Sequence, residues 1–463
     1  MSTTFDSRIG FVNYPSDEAG EAGRKAPHVD LGTQQPDPRR YYDRDEAQRE
    51  WDRMWMKSWA FAGLTQDLQE IGDYFRYDLG KESFIVVRAA PGDDGLKAYY
   101  NVCPHRGNRL VRSDFGHMDP NKGFQCDFHG WKFSVDGCNT EIRDELIFRS
   151  GVIADRPGLT EVSCGVWNSL VFVNPDPSPT KTLLEHLDVI PDHCRNYDFS
   201  QFRVFRDVNV CWDANWKTAL EAFIEFYHAD DVHPELLSLT ATRDCQYDVY
   251  RNGISRMIIE VGNSNSRAED TSIVTEGMKS LVAIYGGDPD KFAHLKGWEY
   301  KQALIEAKRA WGKKHGYAFF DRLSDPQISD DWNYFVFPNI TINIFADSLL
   351  IQAFRPHPTD PSKSYYNAIT LCLPVADEQT PVFDLNEFNF GPKGWKGDER
   401  PARLVPTDLT AASIGYVLAQ DALRVPEVQK GIESAAFKGS RLSESEIRIR
   451  HYLSEIDAYL GRG

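Results

Sequence analysis

Two short stretches of the chain decide how its fold is interpreted: residues 103–107, with the sequence CPHRG, and residues 126–131, with the sequence CDFHGW. Each stretch carries one thiol and one imidazole. In the first, one residue separates the cysteine from the histidine, and in the second, two residues do. A zinc site is the simplest interpretation, but structural zinc sites usually bring paired ligands of one kind. The mixed loops therefore favour a different metal group.

One cysteine and one histidine from each loop suit a [2Fe–2S] cluster whose two irons have different ligands. On this interpretation Cys103 and Cys126 hold one iron, while His105 and His129 hold the other. Neutral imidazoles in place of thiolates raise the reduction potential and keep a second nitrogen for hydrogen bonding or proton exchange. Nearby glycines allow the backbone to approach the sulfur atoms closely: Gly107, Gly130 and Gly137.

The composition indicates a folded, acidic protein of two or three domains. The chain has 463 residues, of which 41% are hydrophobic and 13% aromatic, enough for sizeable cores. Its 69 acidic and 52 basic side chains give a net charge of −17, which argues against a nucleic-acid binder and an anionic membrane surface. We find neither a signal peptide nor an apolar run of roughly 20 residues. The eight cysteines are scattered, so we expect a cytoplasmic protein without a disulfide framework.

The positions of prolines and turns along the chain predict an N-terminal arm and two domains. Residues 1–44 form the arm, which is polar and broken by prolines, and we expect it to pack on the larger domain. Residues 45–175 begin with a helical pattern and continue as short strand-like runs between turns, typical of a small all-β domain. Residues 176–463 follow a proline-rich boundary and combine longer strands with helices. The predicted fold class is α+β, with an antiparallel sheet and helices in the larger domain.

Hydrophobic periodicity places the elements of both domains. In the smaller domain it predicts a helix over 43–59 and strands over 84–87, 96–102 and 169–173. In the larger domain it predicts strands over 205–210, 246–251, 256–261, 332–337, 340–345, 349–354 and 365–373. Helices are expected over 298–314 and near the C-terminus, where Ser443 and Glu446 form a capping box. The inward positions of that last helix are Ile449, Tyr452, Leu453, Ile456 and Leu460.

A second constellation lies in the larger domain. Glu221, Glu225 and His228 have the spacing of one helical face. His233 would point elsewhere on a continuous helix, but Pro234 disfavours helical geometry there, so the chain can turn back and bring the two imidazoles together. Two histidines and one carboxylate are typical of an iron site with open positions. A solvated acidic helix with incidental histidines is an equal alternative for this segment alone.

Asp421 favours the metal site over that alternative. It lies on a helical pattern with Ile414, Val417, Leu418 and Val425, so its carboxylate faces the apolar side of the helix. A carboxylate that faces a core needs a partner, a metal or a proton. Asp408 and Glu427, by contrast, fit a solvated surface.

Taken together, these motifs resemble the Rieske-type non-haem iron aromatic ring-hydroxylating oxygenases, in particular their catalytic alpha subunits. The family pattern is C-x-H followed by C-x2-H, with similar flanking residues, although the spacer after His105 is longer here and residues 113–122 are expected to form a surface loop. The resemblance implies a Rieske domain followed by a helix-grip, START-like catalytic domain. It also implies His228, His233 and Asp421 as ligands of a mononuclear Fe(II), and Glu225 as the catalytic acid that links this iron to the cluster of a neighbouring subunit.

The resemblance further implies an oxygenase component that uses O2 and electrons from a separate NAD(P)H-dependent reductase or ferredoxin. We find no dinucleotide fingerprint in the chain. The expected substrate is an aromatic or bulky apolar organic molecule that undergoes mono- or dihydroxylation, with oxidative O- or N-demethylation as the alternative. A homotrimer is expected, and the sequence does not decide whether a small beta subunit is also present. Residues 267–325 are interpreted as a helical insertion over the pocket, whose aromatic residues belong to the core: Tyr285, Phe292, Trp298, Phe319 and Phe320.

Two other classes of protein remain as alternatives. A Rieske electron carrier without its own chemistry is disfavoured because such a carrier needs no second domain with an iron triad. A zinc-dependent interaction protein is disfavoured by the mixed cysteine–histidine loops. Metal content distinguishes the three, with about three irons per chain for the oxygenase, about two for the carrier and zinc alone for the last.

Overall fold

The computed structural model describes residues 23–263, 270 and 272–462, apart from the side chain of Trp298. Two compact units are present. The smaller consists of Gln48–His186 and His357–Thr359, and the larger of the described residues within Met1–Ala47, Leu187–Pro356 and Asp360–Gly463. The domain limits read from the sequence stay predictions, and residues 1–22 of the expected arm lie outside the described ranges.

The smaller unit is built on β-strands. Its strands are β1 (Ala60–Leu64), β2 (Asp73–Leu79), β3 (Glu82–Arg88), β4 (Leu96–Tyr100), β5 (Phe115–His117), β6 (Phe124–Gln125), β7 (Lys132–Phe133), β8 (Asn139–Glu141), β9 (Glu161–Trp167) and β10 (Leu170–Asn174). Seven of them form one antiparallel sheet in the order β1-β10-β9-β4-β3-β2-β5, and the order of the second sheet is β6-β7-β8. The β6–β8 sheet carries the second cysteine–histidine loop between β6 and β7.

The larger unit contains the remaining strands. These are β11 (Arg203–Trp212), β12 (Gln246–Val249), β13 (Ser255–Ile259), β14 (Asp331–Val336), β15 (Ile340–Ile344), β16 (Ser348–Pro356), β17 (Ser364–Cys372), β18 (Pro381–Asp384) and β19 (Asn389–Lys393). From β12 to β17 each strand pairs antiparallel with the next, and β11 pairs with β17, which gives a seven-stranded sheet. Strands β18 and β19 form a separate pair.

Helices occupy the rest of the chain's regular structure. They are α1 (Arg44–Arg53), α2 (Leu183–Leu187), α3 (Ile190–His193), α4 (Trp216–Glu221), α5 (Ala229–Val232), α6 (Glu276–Ile284), α7 (Gly297–His315), α8 (Asp325–Ser329), α9 (Ala411–Ile414), α10 (Tyr416–Ile432) and α11 (Ile447–Leu460). Within the described ranges, none of the helices combines the length and the apolar character needed to cross a bilayer.

The C-terminal helix follows its predicted pattern closely. Ser443 and Glu446 form the capping box, which opens a short 3-10 turn directly before α11. The five positions predicted to face inward are all buried. Because these residues recur at helical spacing, they form one apolar face, and α11 packs with that face towards the main sheet.

Several predicted elements differ from the structure, among them the strands predicted over 246–251 and 256–261, which end at Val249 and Ile259. The helix predicted over 43–59 ends at Arg53 and is followed by a 3-10 turn, Trp55–Lys57, before β1 begins. The strand predicted over 96–102 ends at Tyr100. The spacer predicted as a surface loop contains β5, which pairs with β2 at the edge of the sheet, although most of its residues are at least partly exposed. In each case a neighbouring strand or turn overrides the local pattern.

The described part of the arm contacts the larger unit. The Ala26 N–H donates to Asp248 Oδ1 at 2.7 Å, and Arg256 Nη2 donates to the Arg24 carbonyl at 3.0 Å. Arg256 and Asp248 form an ion pair at 2.6 Å in which both side chains are fully buried. Backbone groups of the arm thus satisfy part of a buried charged pair.

Candidate metal centres

The two cysteine–histidine loops have the same backbone geometry. In the first, the Gly107 N–H donates to the Cys103 carbonyl at 2.9 Å, and in the second, the Gly130 N–H donates to the Cys126 carbonyl at 2.9 Å. Both glycines have φ 77°, a left-handed conformation that side chains rarely adopt. The loops therefore close in the same way although the histidine stands one position later in the second.

The loops bring both cysteines and both histidines into one cluster of side chains. Cys103 and Cys126 are each 1% exposed, and the rings of His105 and His129 lie 4.5 Å apart, centroid to centroid. The Nδ1 atoms of both rings are buried without a hydrogen-bond partner among the described residues. Buried nitrogens of this kind are rare unless a metal or water occupies their lone pairs. Two thiols and two unpartnered imidazoles fit the donor set of a Rieske cluster.

Neighbouring side chains hold this donor set. The His105 ring stacks on Trp131 with centroids 4.8 Å apart and planes 8° apart. Asn108 Nδ2 lies 3.6 Å from Cys126 Sγ and donates to Asp127 Oδ1 at 2.7 Å. Burial raises the pKa of Cys103 to about 11, so without a metal this thiol is neutral. Asn108 is not predicted by the motif, and its only signal in the sequence is its position directly after the first loop.

The spacing of Glu221, Glu225 and His228 predicted one continuous helix in this segment. The structure shows that the segment is not one helix. Helix α4 ends at Glu221, an irregular turn follows, and His228 caps the four-residue α5. His233 ends α5 with φ −123° and ψ 62°. This departure from helical geometry was predicted from Pro234, and it turns His233 back towards His228.

Glu221 lies apart from the histidines. It is partly buried and accepts hydrogen bonds from the Tyr41 hydroxyl at 2.7 Å and from the Tyr452 hydroxyl. Burial raises the pKa of Glu221 to about 7. This acid therefore joins the arm and α11 to α4, and it does not line the cavity beside the two imidazoles.

His228, His233 and Asp421 form a compact group. One ligand atom from each lies within 4.8 Å of the others. Asp421 Oδ1 is 3.7 Å from His228 Nε2 and 3.4 Å from His233 Nε2. Two neutral nitrogens and one carboxylate on one side of a central position fit a facial iron site with open coordination positions.

Outer hydrogen bonds orient both imidazoles towards Asp421. Glu225 Oε1 lies 2.5 Å from His228 Nδ1, and Gln420 Oε1 lies 2.7 Å from His233 Nδ1. Each contact leaves Nε2 for the shared position, which is how metal-binding histidines are usually held. Burial opposes the charged form of His228, but the carboxylates of Glu225 and Asp421 raise its pKa to about 9.

Helix α10 supplies Asp421 from far along the sequence. Asp421 is 4% exposed, as its place on the apolar stripe predicted. Ile414 belongs to the separate helix α9, because Gly415 with φ 96° interrupts the helical path. Gln429 ties α10 to α4, since its Oε1 accepts from the Asn215 N–H at 3.0 Å and from the Thr218 hydroxyl at 2.8 Å.

A cavity within the larger unit adjoins this group. Its wall is mostly apolar and aromatic and includes side chains from the main sheet, α10 and the loop after β18. The lining residues are Ala222, Phe223, Glu225, Phe226, His228, His233, Leu236, Thr240, Met257, Ile259, Val261, Asp331, Asn333, Asn343, Phe345, Leu350, Gln352, Leu385, Asn386, Phe388, Val417, Leu418 and Asp421. None of them comes from residues 267–325, so the wall gives no support to the covering role expected of that segment, whose residues 267–269 and 271 lie outside the described ranges. Of the five aromatic residues predicted to belong to the core, Tyr285, Phe319 and Phe320 are buried and Phe292 is only partly buried, while the side chain of Trp298 lies outside the described part of the structure.

Family comparisons agree with both sites. A Rieske [2Fe–2S] domain matches residues 58–145. The catalytic domain of the ring hydroxylating alpha subunits matches residues 199–462, more than half of the chain, and the protein therefore belongs to that family. The two matches confirm the predicted family and imply a Rieske cluster and a mononuclear iron as cofactors.

Individual relatives align over part of the chain. The glycine betaine monooxygenase oxygenase subunit of Chromohalobacter salexigens is 30% identical over 186 residues, 39% of each chain. The benzene 1,2-dioxygenase subunit alpha of Pseudomonas putida is 30% identical over 200 residues, 42% of this chain and 43% of the relative. The chain thus spans about two-fifths of the length of the curated relatives it matches.

Solved structures share the fold over almost the whole chain. A quaternary ammonium Rieske monooxygenase superposes with a TM-score of 0.65 at 15% identity, over 97% of this chain and 99% of that one. Naphthalene 1,2-dioxygenase superposes with a TM-score of 0.60 at 18% identity, over 92% of each chain. The predicted α+β fold, with a Rieske domain before a larger domain of antiparallel sheet and helices, is confirmed.

Proposed function

We propose that the protein is the oxygenase component of a multicomponent Rieske oxygenase, which uses O2 and electrons from a separate reductase or ferredoxin to hydroxylate an organic substrate. The observation that carries this proposal is the triad of His228, His233 and Asp421 at the wall of a mostly apolar cavity. An electron carrier needs neither the triad nor the cavity. The absence of a membrane-spanning helix among the described residues is compatible with the cytoplasmic location that we propose.

Each cofactor has its own set of residues in this proposal. Cys103, Cys126, His105 and His129 hold the cluster, and His228, His233 and Asp421 hold the mononuclear iron. When bound, the cluster supplies single electrons and the mononuclear iron activates dioxygen. The protein's own contribution is to bury the thiols, to hold the two Nε2 atoms towards Asp421, and to give the substrate an apolar wall beside the metal.

Glu225 is proposed to link the mononuclear site to the cluster of a neighbouring subunit. Its carboxylate contacts the Nδ1 of His228, and the backbone N–H groups of Tyr227 and His228 donate to its other oxygen. These bonds leave the carboxylate fixed and 9% exposed. The homotrimer that the family resemblance implies would bring a second subunit to this acid. An assembly that also contains a small beta subunit is the alternative.

The substrate is proposed to be an aromatic or bulky apolar molecule, because most of the cavity wall is apolar. A second candidate, oxidative dealkylation at nitrogen or oxygen, receives support from the relatives. Benzene 1,2-dioxygenase stands among them, but so do the glycine betaine and carnitine monooxygenases. The same triad can support either reaction, and the molecule that the cavity binds determines which of the two takes place.

Replacing one ligand tests the proposal. Asp421→Ala should lower the iron content from about three to about two atoms per chain and leave the visible spectrum of the cluster unchanged. Product formation in the presence of a surrogate reductase should fall at least about a thousandfold, because the metal is lost. Glu427→Ala on the same helix is the control, since Glu427 is exposed and, among the described residues, its side chain bonds only Lys430. Unchanged iron content in Asp421→Ala, or zinc in place of iron in the wild type, would contradict the proposal.

A further inference from the structure

The sheet wall of the cavity carries a row of hydrogen-bonded polar side chains. This polar row consists of Asp331 on β14, Asn343 on β15 and Gln352 on β16, all of which line the cavity. Asn343 Nδ2 donates to Asp331 Oδ2 at 2.7 Å, and Gln352 Nε2 lies 3.3 Å from Asn343 Oδ1. The hydroxyl of Tyr366 donates to Gln352 Oε1 at 2.6 Å and closes that end. The amide end of the row is therefore satisfied by the protein itself.

The carboxylate end of the row is not satisfied. Asp331 is 7% exposed, and its Oδ1 has no hydrogen-bond partner among the described residues. Asp331 is the first residue of β14, and its backbone pairs with Ile259 of β13. Burial raises the pKa of Asp331 to about 7, although Asn343 and the charge of Arg448 act against the shift. A buried carboxylate with an unused acceptor is costly to the folded protein.

The protein offers this carboxylate no ion pair. Arg448 is the cation that affects its pKa, but Arg448 Nη1 donates to Asn333 Oδ1 at 2.8 Å and Nε donates to Ser255 Oγ at 2.9 Å. No salt bridge joins Arg448 to Asp331 in the described part of the chain. The guanidinium therefore fixes neighbouring polar groups and leaves the carboxylate with unused acceptor capacity.

The charges of the cavity wall single out Asp331. The wall contains three carboxylates, those of Glu225, Asp331 and Asp421, and neither lysine nor arginine. Glu225 contacts His228, and Asp421 belongs to the proposed iron ligands. Asp331 is consequently the one acidic group of this wall with a carboxylate oxygen, Oδ1, that no donor among the described residues and no proposed metal uses, and it lies on the sheet rather than on the segments that carry the triad.

We propose that Asp331 binds a hydrogen-bond donor, an N–H or O–H group, on the substrate. The substrate class is accordingly an apolar molecule that bears an amine or hydroxyl group, with that group on the sheet wall and the carbon to be oxidised towards the triad. This inference rests on the proposed function for the identity of the reaction, and it makes Asp331 a specificity-determining residue. An unused carboxylate oxygen favours a donor hydrogen, whereas positive charge without a donor cannot satisfy it.

Four compounds of similar shape separate a donor from a charge. Tetralin has neither, β-tetralol has a neutral donor, tetrahydroisoquinoline has a protonated N–H, and the N,N-dimethyltetrahydroisoquinolinium ion has charge without a donor. Their dissociation constants from the wild-type holoprotein are measured by calorimetry at about pH 8, where Asp331 is mostly ionised. β-Tetralol and tetrahydroisoquinoline should bind at least about tenfold more tightly than tetralin and the dimethylated ion. Equal binding of tetrahydroisoquinoline and its dimethylated ion would overturn the inference, as would no binding of any compound at millimolar concentration.

A variant and its control assign the preference to Asp331. In Asp331→Asn, an amide nitrogen takes the place of the unused oxygen while Asn343 still bonds the other atom, so the preference for donors should fall to less than about threefold. Leu385→Ala shortens an apolar lining residue that is 4% exposed, and it should weaken all four compounds to a similar degree. A donor preference that persists in Asp331→Asn would refute the role of Asp331. The wild-type comparison stands even if Asp331→Asn does not fold.

Iron analysis of the same samples keeps this inference separate from the proposed function. A wild-type protein without mononuclear iron that still prefers the donor-bearing compounds would contradict the oxygenase and support the role of Asp331. A protein with about three irons per chain and equal binding of all four compounds would support the oxygenase and overturn the inference.

Discussion

Single residues around the triad differ in how they hold the two imidazoles. A carboxylate, Glu225, contacts Nδ1 of His228, whereas an amide, Gln420, contacts Nδ1 of His233. Gln420 is itself held, because its Nε2 donates to Glu235 Oε2 at 3.2 Å. The motif identified the histidines, but it gave no sign of this neutral partner, which comes from a helix almost two hundred residues downstream.

Gln420→Leu leaves His233 in the chain as a proposed ligand, but the imidazole ring should be held less firmly. Without the amide oxygen the ring loses its outer hydrogen bond, so the affinity of the mononuclear site for Fe(II) should fall about tenfold to a hundredfold. The measurement is iron retention against a chelator, with the cluster spectrum as an internal reference. Gln379→Leu is the control, because Gln379 is exposed on a loop. Equal iron retention in the two variants would show that Gln420 does not position His233.

At the scale of elements, the sequence predicted which candidate site residues each segment contains more accurately than the residues at which its helices end. Pro234 correctly predicted that the chain leaves helical geometry at His233. The spacing of Glu221, Glu225 and His228 wrongly predicted one helix, because Glu221 is bound by Tyr41 and Tyr452 from distant segments and α4 ends there. Such long-range partners leave no periodic signal.

Gly415 separates α9 from α10 and so sets the position of the helix that carries Asp421. Its φ is 96°, and a Cβ added there would lie 2.8 Å from the Cβ of Asn386. Gly415→Ala should therefore destabilise the protein by about 1–3 kcal/mol and lower the occupancy of the mononuclear iron, with the cluster unaffected. Melting temperature and iron content measure the two effects.

Gly431 provides the matched control on the same helix. A Cβ at Gly431 would meet no atom within 4 Å, and alanine is the better helix former. Gly431→Ala should consequently stabilise the protein by about 0.5–1 kcal/mol without loss of iron. If Gly415→Ala and Gly431→Ala behave alike, the left-handed turn does not position α10.

At the scale of the whole molecule, the two sets of proposed metal-binding residues belong to different compact units. The cysteine–histidine loops lie in Gln48–His186, and the triad lies in the larger unit. Their separation along the sequence made this division predictable, as did the change from short to long strands. The cavity wall was not predictable, because Asp331 and Asn343 meet only through the pairing of β14 with β15, and polar residues in a buried strand reveal no register.

Separate units predict separate losses of metal. Cys126→Ser should remove the brown colour and about two of the three irons per chain, while the mononuclear iron stays bound. Cys138→Ser is the control, since Cys138 is an exposed free cysteine and its loss should change neither colour nor iron content. Metal analysis and the visible spectrum measure both variants. Loss of all iron from Cys126→Ser would show that the mononuclear site depends on the cluster.

The buried pair of Arg256 and Asp248 has a practical consequence for handling the protein. Part of its hydrogen bonding comes from the Arg24 carbonyl and the Ala26 N–H, which flank Lys25. Proteolytic clipping beside Arg24 or Lys25 would withdraw these backbone groups from a guanidinium that has no access to water. Trimming this end, or fusing a tag close to it, therefore reaches an interior contact of the larger unit rather than a dispensable tail.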